Sequence, residues 1–170
     1  IERYLDSKRS VLLFSKGVVL VEGDGEEILI PNLIKNALGV SLDEMGIGLV
    51  NVGSVSFEYI ASLFSEERIK RTCAIVTDED IQIVETDSKL YKAEAEKRGK
   101  SRKKKLADLY GTNPWVEFFF APHTLEVDFA LADARANSDY ISEVVELNYV
   151  DTNTIKRHKE NLKQGTDAAC

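Results

Sequence analysis

The sequence has few residues of the kinds that build disulfide frameworks, zinc sites or membrane spans. Its 170 residues include two cysteines, Cys73 and Cys170, which lie far apart and in no metal-ligand spacing. This usage is typical of reduced thiols in a cytoplasmic protein. The two histidines, His123 and His158, are too few and too distant for a zinc site. The longest apolar runs have about four residues, whereas a membrane-spanning helix needs roughly 20.

Two further signals are missing. The chain has no Gly-x-x-x-x-Gly-Lys-Ser/Thr phosphate-binding loop, so ATP hydrolysis by that route is excluded. It has no signal peptide and begins at Ile1 without a methionine, so we expect a fragment of a longer cytoplasmic protein. With 44% hydrophobic and 30% charged residues, the sequence predicts one globular domain with a sizeable core.

What the sequence does have is an uneven distribution of charge. The net charge is −7, yet residues 89–105 contain nine Lys or Arg and only two acids. A basic segment on an acidic chain indicates a bound polyanion, although a solvated helix face is the alternative. We expect residues 85–112 to form a basic insertion, in which the run 97–105 is too charged to be core. The candidate phosphate-backbone contacts are Lys97, Arg98, Lys100, Arg102, Lys103, Lys104 and Lys105.

The apolar periodicity predicts an α/β fold with a mostly parallel four-stranded sheet flanked by helices. Strands are predicted at 18–22, 47–52, 71–77 and 115–120. Helices are predicted at 2–16, 24–38, 57–64, 125–136, 138–149 and 152–164, with 138–170 as a C-terminal helical segment that frays from 165. In helix 24–38 we expect a capping box of Asp24 and Glu27, and a kink or late start caused by Pro31. Its buried face would contain Ile28, Leu29, Leu33, Ile34, Ala37 and Leu38.

Pairs of acids recur where a predicted strand passes into a helix. The pairs are Glu22 with Glu26, Asp78 with Asp80, and Glu126 with Asp128. Such turns lie along one edge of a parallel sheet, where carboxylates repel each other unless a cation joins them. Oxygen ligands without His or Cys favour Mg²⁺ or Mn²⁺. Each pair also has a structural alternative, since acids in a first helical turn complement the helix dipole and aspartates cap turns.

The same residues resemble a known family. The Glu-Gly turn at 22–23 and the Asp-x-Asp at 78–80 are similar to the TOPRIM domain of topoisomerases, primases and related nucleases. Residues 18–31, 46–53, 76–80 and 124–128 more specifically resemble the overcoming-lysogenization-defect (OLD) family, in particular the C-terminal region of a class 2 type OLD protein. The resemblance spans about residues 10–130. Glu79 is a departure, because the middle residue of this motif is often apolar.

The resemblance implies a Rossmann-like TOPRIM nuclease domain over residues 1–170, with an ABC-type ATPase domain ahead of it and a possible homodimer. It implies a metal-dependent DNA endonuclease or nickase that uses two Mg²⁺ or Mn²⁺ ions. Glu22, Asp78 and Asp80 would be catalytic, with Glu22 as a metal ligand and a candidate base. The implied ligands are Glu22, Glu26, Asp78, Asp80, Glu126 and Asp128. The family also uses a C-terminal lysine, for which Lys163 is one candidate.

Other interpretations stay open on the sequence. A TOPRIM-like module could bind DNA or support assembly without turnover when it is separated from its ATPase half. A receiver-like phosphoacceptor domain also gathers acids at a sheet edge, but the Glu22–Glu26 pair and the late Thr-Leu-Glu at 124–126 argue against it. A topoisomerase would need a tyrosine nucleophile from another domain. The interpretation as a primase is disfavoured because the sequence has no visible zinc module.

Overall fold

The computed structural model describes residues 10–53, 57–81, 89–132, 139–140, 142–143, 146–147 and 150–169. Its strands are β1 (Gly17–Val21), β2 (Ile47–Asn51), β3 (Thr72–Asp78) and β4 (Val116–Ala121). The helices described in these ranges are α1 (Val11–Phe14), α2 (Asp24–Leu38), α3 (Leu42–Met45), α4 (Phe57–Ala61), α5 (Lys89–Tyr110), α6 (Leu125–Ala132) and α7 (Thr152–Ala169).

The four strands form one sheet in the order β2-β1-β3-β4. Strand β1 pairs in parallel with both β2 and β3, and Leu20 is opposite Val50 on one side and Ile75 on the other. The amide of Cys73 donates to the carbonyl of Trp115 at 2.8 Å, and the amide of Glu79 donates to the carbonyl of Ala121 with the same offset in sequence. This constant offset makes the β3–β4 pairing parallel as well. The predicted α/β fold with a parallel four-stranded sheet flanked by helices is confirmed.

The chain divides into two compact units. The first unit comprises Ile1–Thr77 and Ser101–Phe120, and the second comprises Asp78–Lys100 and Ala121–Cys170. The core of the first unit lies around the central strands, and the near-continuous burial of β1 is typical of a parallel strand covered on both faces. Cys73 is in this core, and burial raises the pKa of its thiol to about 12, so the thiol stays protonated.

Helix α2 does not bury the face that its sequence predicts. None of its residues is buried, and the side chains of Ile28 and Leu38 are 64% and 66% exposed. The helix lies mainly beside β2 and α3, so the prediction of a buried apolar face is wrong for the part of the chain that is described. The helix starts at Asp24 with Pro31 inside it, which excludes the late start, and it ends at Gly39 as predicted.

The predicted capping box of α2 is also wrong. Gly23 is the N-cap residue, and it provides no side-chain hydrogen bond. The carboxylates of Asp24 and Glu27 instead accept hydrogen bonds from the side-chain amide of Asn51, at 2.8 and 3.2 Å. A contact across the β1–β2 edge of the sheet therefore replaces the local cap that the spacing of the two acids predicts.

The basic segment forms the long helix α5. Leu106 and Tyr110, which follow the charged run 97–105, belong to the core of the first unit. These residues are four apart and share one face of the helix. The hydroxyl of Tyr110 donates to the carbonyl of Glu58 at 2.7 Å. One face of the helix therefore packs, although most of its other side chains are charged.

The C-terminal segment departs from the sequence prediction at its end. Helix α7 continues to Ala169, whereas the sequence predicts fraying from residue 165. It contacts α6 within the second unit. About half of each of the predicted helices 2–16 and 138–149 lies outside the described residues. None of the helices in the described ranges is long and apolar enough to cross a membrane.

Candidate functional site

Glu22 lies directly after β1, where the sequence predicts a functional carboxylate. Its side chain is 43% exposed and forms an ion pair with Arg102 of α5. The hydroxyl of Thr77 donates to Glu22 Oε2 at 2.9 Å, and Arg102 Nη1 donates both to Glu22 Oε2 and to Thr77 Oγ1, the latter at 2.8 Å. We call this arrangement the Glu22 triad. All three residues belong to the first unit.

The sheet explains why these side chains meet. Since Leu20 is opposite Ile75 in the parallel register, Glu22 and Thr77 arrive together at the carboxyl ends of neighbouring strands. Thr77 is 3% exposed, and its hydroxyl both donates and accepts within the triad. The Arg102 side chain is 21% exposed. Burial lowers the pKa of Arg102, but an arginine remains charged at physiological pH.

Glu26 occupies the same strand-to-helix turn. It lies in the first turn of α2, and its carboxylate folds back over Gly23. Glu26 Oε2 is 3.0 Å from the position that a Cβ on Gly23 would take. A larger residue at 23 would therefore press on the Glu26 carboxylate. Both predicted acids of this turn are half-buried at the start of a helix, where the helix dipole favours negative charge.

In the second unit, the predicted acids after β3 lie on a turn rather than on an extended chain. Asp78 is the last residue of β3, and the amide of Glu79 donates to the carbonyl of Ala121 at 2.9 Å. Asp80 has a left-handed backbone with φ of 55°, and both aspartates are half-buried. The alternation expected of an extended Asp-x-Asp therefore does not apply here. Aspartate is one of the few residue types that adopts this conformation readily.

Helix α5 comes very close to this acidic turn. The buried Gly99 faces the backbone of Glu79, and a Cβ added at Gly99 would lie 2.3 Å from the Glu79 carbonyl oxygen. Such a contact is too short for any side chain, so the absence of one at residue 99 permits the approach. The ring of His123 also contacts this turn, with Nδ1 2.7 Å from the carbonyl oxygen of Ile81.

The third predicted pair of acids lies on α6. Asp128 Oδ2 accepts a hydrogen bond from the amide of His123 at 3.3 Å, which closes the turn that precedes the helix. This contact agrees with the alternative interpretation, in which Asp128 caps a turn. The side chain of Glu126 lies outside the described residues. Lys163, the candidate C-terminal lysine, is exposed on α7 in the second unit.

The candidate DNA contacts all lie on α5, but they differ in environment. Lys97, Arg98, Lys100, Lys103, Lys104 and Lys105 are exposed, whereas Arg102 belongs to the Glu22 triad. Lys100 pairs with Glu96, Lys105 pairs with Glu58, and the Lys103 ammonium lies 5.3 Å from the centre of the Phe120 ring. The exposed members make α5 a strongly cationic surface.

The donor chemistry of these sites fits a hard divalent cation, since the candidate ligands are carboxylates. Within the described residues, however, no three His, Cys, Asp or Glu side chains are clustered as a metal site. Glu22 Oε2 is instead bound by Thr77 and Arg102. A metal ion can therefore bind this oxygen only if it displaces one of the two hydrogen-bond donors.

Sequence reasoning missed Thr77 and the distinct position of Arg102. Thr77 is two residues beyond the buried Ile75, and Arg102 is four residues before the buried Leu106. The spacing to Leu106 places Arg102 on the packed face of α5, and this signal was available in the sequence. The pairing of Arg102 with Glu22 could not be predicted from the sequence, because the two residues are 80 positions apart.

Comparison with known proteins agrees with the fold. Residues 13–80 match the family model described as "Overcoming lysogenization defect protein-like, TOPRIM domain". The C-terminal region of the Burkholderia pseudomallei OLD protein is 23% identical with a TM-score of 0.61, covering 92% of this chain and 76% of that one. The C-terminal region of the Xanthomonas campestris pv. campestris OLD protein is 25% identical with a TM-score of 0.55, covering 91% and 72%.

No curated protein matches the chain. The family match covers Glu22, Glu26, Thr77, Asp78 and Asp80, and thus both acidic turns that follow β1 and β3. The structural neighbours extend the similarity of fold to most of the chain. The resemblance indicated by the sequence is confirmed: residues 13–80 match the OLD-like TOPRIM domain model.

Proposed function

We propose that this chain is the nuclease part of an OLD-type protein and that it hydrolyses phosphodiester bonds in DNA with divalent metal ions. The observation that carries the proposal is the Glu22 triad. A half-buried carboxylate at the carboxyl end of a central parallel strand, in an OLD-like TOPRIM domain, lies where ligands bind in this class of sheet.

The proposed ligands are the acids of the strand-to-helix turns, namely Glu22, Glu26, Asp78, Asp80, Glu126 and Asp128. Two Mg²⁺ or Mn²⁺ ions held there would activate a water molecule and stabilise the leaving oxygen. Among these acids, Glu22 also serves as the candidate base. Thr77 fixes one Glu22 oxygen through its hydroxyl and thereby orients the carboxylate. Lys163 remains one candidate for the lysine that stabilises developing charge.

The exposed cations of α5 provide the proposed contact with DNA. Their side chains can neutralise phosphates without reading base edges, so binding would depend little on sequence. The remaining partners in this proposal are an N-terminal ABC-type ATPase domain of the same cytoplasmic protein and a second copy of the chain. The second candidate function is a DNA-binding or assembly scaffold without turnover, which the Arg102–Glu22 pair favours because it occupies the carboxylate.

Cleavage of supercoiled plasmid tests the proposed function. We expect the purified chain to convert supercoiled plasmid to the nicked or linear form with Mg²⁺ or Mn²⁺ and to leave it intact with EDTA. Gel electrophoresis over time measures the conversion. Salt-sensitive DNA binding without cleavage under any of these conditions would contradict the nuclease and support the scaffold.

The contribution of α5 to DNA binding is tested by salt dependence. Neutralising Arg98 and Lys104 together, as Arg98→Gln with Lys104→Gln, should weaken binding to every DNA sequence alike and lower the slope of log Kd against log salt by about 1–2. Fluorescence anisotropy between 50 and 200 mM salt is the measurement. Lys35→Gln with Lys70→Gln removes the same charge from exposed positions outside α5. An equal change in slope for both double variants would contradict a role specific to α5.

A further inference from the structure

Arg102 differs in environment from the exposed cations at 97–105 of α5. Its side chain is 21% exposed, whereas that of Lys100, two residues earlier, is 62% exposed. One nitrogen of its guanidinium bridges the Glu22 carboxylate and the Thr77 hydroxyl. A cation that tracks a DNA backbone from solvent would not be drawn inward to a carboxylate at the edge of the sheet. Arg102 therefore belongs with the acids and not with the DNA-binding surface.

Both hydrogen bonds to Glu22 within the triad are accepted by the same carboxylate oxygen. Oε2 accepts from both the Thr77 hydroxyl and the Arg102 guanidinium, and a carboxylate oxygen has two lone pairs. A metal ion needs a lone pair of the oxygen that it binds. In addition, a divalent cation and a guanidinium repel each other across a short distance in a partly buried site. The two cations therefore exclude each other at Glu22 Oε2.

We propose that Arg102 is the built-in counter-ion of Glu22, which neutralises the carboxylate in the metal-free protein and is displaced when a divalent cation binds. It is a positioning residue, since it acts through Glu22. The inference rests on the proposed use of metal ions at Glu22. It removes Arg102 from the set of phosphate-backbone contacts and assigns to it the control of metal affinity. Thr77 keeps its bond to Glu22 in both states and preserves the orientation of the carboxylate.

Metal binding without DNA tests the inference. Arg102→Gln is compared with Lys104→Gln, which removes the same charge from the exposed side of the same helix and so controls for long-range electrostatics. Mn²⁺ is titrated into each protein and followed by isothermal calorimetry and by the electron paramagnetic resonance signal of free Mn²⁺. We expect Arg102→Gln to bind Mn²⁺ at least ~10-fold more tightly than the wild type, and Lys104→Gln to change the affinity by less than ~3-fold. In a Glu22→Gln background, Arg102→Gln should give no such gain.

The possible outcomes separate the inference from the proposed function. Equal affinities for Arg102→Gln and Lys104→Gln, with Mn²⁺ bound by both, would overturn the role of Arg102 and leave the metal-dependent function standing. No binding of Mn²⁺ by any of the proteins would overturn both.

A measurement on the wild-type protein covers the case in which the variant fails to fold. Titration with Mg²⁺ should shift the Arg102 side-chain Nε–H resonance, assigned by NMR, and should leave that of the exposed Arg98 in place. An Arg102 resonance that stays fixed while Mg²⁺ saturates the protein would contradict the displacement.

Discussion

Replacing Glu22 with alanine is expected to abolish metal-dependent plasmid cleavage, with a loss of at least about 10³-fold that corresponds to about 4 kcal/mol of transition-state stabilisation. The carboxylate follows β1 at the edge where the strand ends, and Thr77 holds it there. Alanine removes the proposed ligand and base together. The initial rate of nicking with Mg²⁺ and with Mn²⁺ is the measurement, and circular dichroism confirms that the variant is folded.

The control for this prediction is another glutamate that forms an ion pair. Glu66 pairs with Lys70 on the exposed surface of the first unit, and Glu66→Ala removes the same charge. A surface pair of this kind contributes little, so Glu66→Ala should cleave at the wild-type rate. Glu22→Gln keeps an oxygen that can accept from Thr77 but loses the charge, and it should be as inactive as Glu22→Ala. A rate for Glu22→Ala within about threefold of the wild type would remove Glu22 from the catalytic site, because a thousandfold loss is expected.

Replacing Gly99 with alanine is the second change with a large expected effect. A Cβ at this position would lie 2.3 Å from the carbonyl oxygen of Glu79 and 2.8 Å from its Cα, so backbone must move. Overpacking of this kind costs about 1–3 kcal/mol. The higher helix propensity of alanine would by itself stabilise the helix by about 1 kcal/mol relative to glycine. A net loss of stability would therefore show that the steric clash with Glu79 costs more than the propensity gains. Unfolding in urea gives the change in free energy.

The same substitution is expected to lower cleavage activity, because the displaced backbone belongs to the turn that presents Asp78 and Asp80. Ser101→Ala is the matched control. Residue 101 is exposed on the same helix, and alanine there should leave stability within about 0.5 kcal/mol and activity unchanged. If Gly99→Ala were as stable and as active as Ser101→Ala, the close approach of α5 to the Glu79 backbone would not matter for folding or function.

Helix α5 combines a packed face with an exposed cationic surface, which its composition does not separate. In the first unit, Arg102 and Leu106 are four residues apart and contact Glu22 and the core, respectively. In the second unit, Gly99 lies against the backbone of Glu79. The exposed lysines and Arg98 occupy other positions of the same helix. A segment that reads as one basic run is therefore a packed helix with a cationic surface, and only the surface is available to bind a polyanion.

The sequence by itself determined the fold class and the placement of the acidic turns. Short apolar runs that end at Glu22 and Asp78 predict buried parallel strands, and both strands end within one residue of these positions. The signals are local: strand length, glycine at the turn and helical spacing depend on neighbouring residues, so they can be read without knowledge of the tertiary structure. The motifs of residues 13–80 also carried the family resemblance.

The tertiary structure alone decided which partner each charged side chain takes. Asp24 and Glu27 bind Asn51 instead of capping α2, and Arg102 binds Glu22 instead of facing solvent. These contacts join residues that are distant in sequence, and their formation depends on strand register and on which helix faces are covered. The exposed apolar face of α2 has the same origin: periodicity shows that a helix has such a face, but only the packing of the other elements determines whether it is buried.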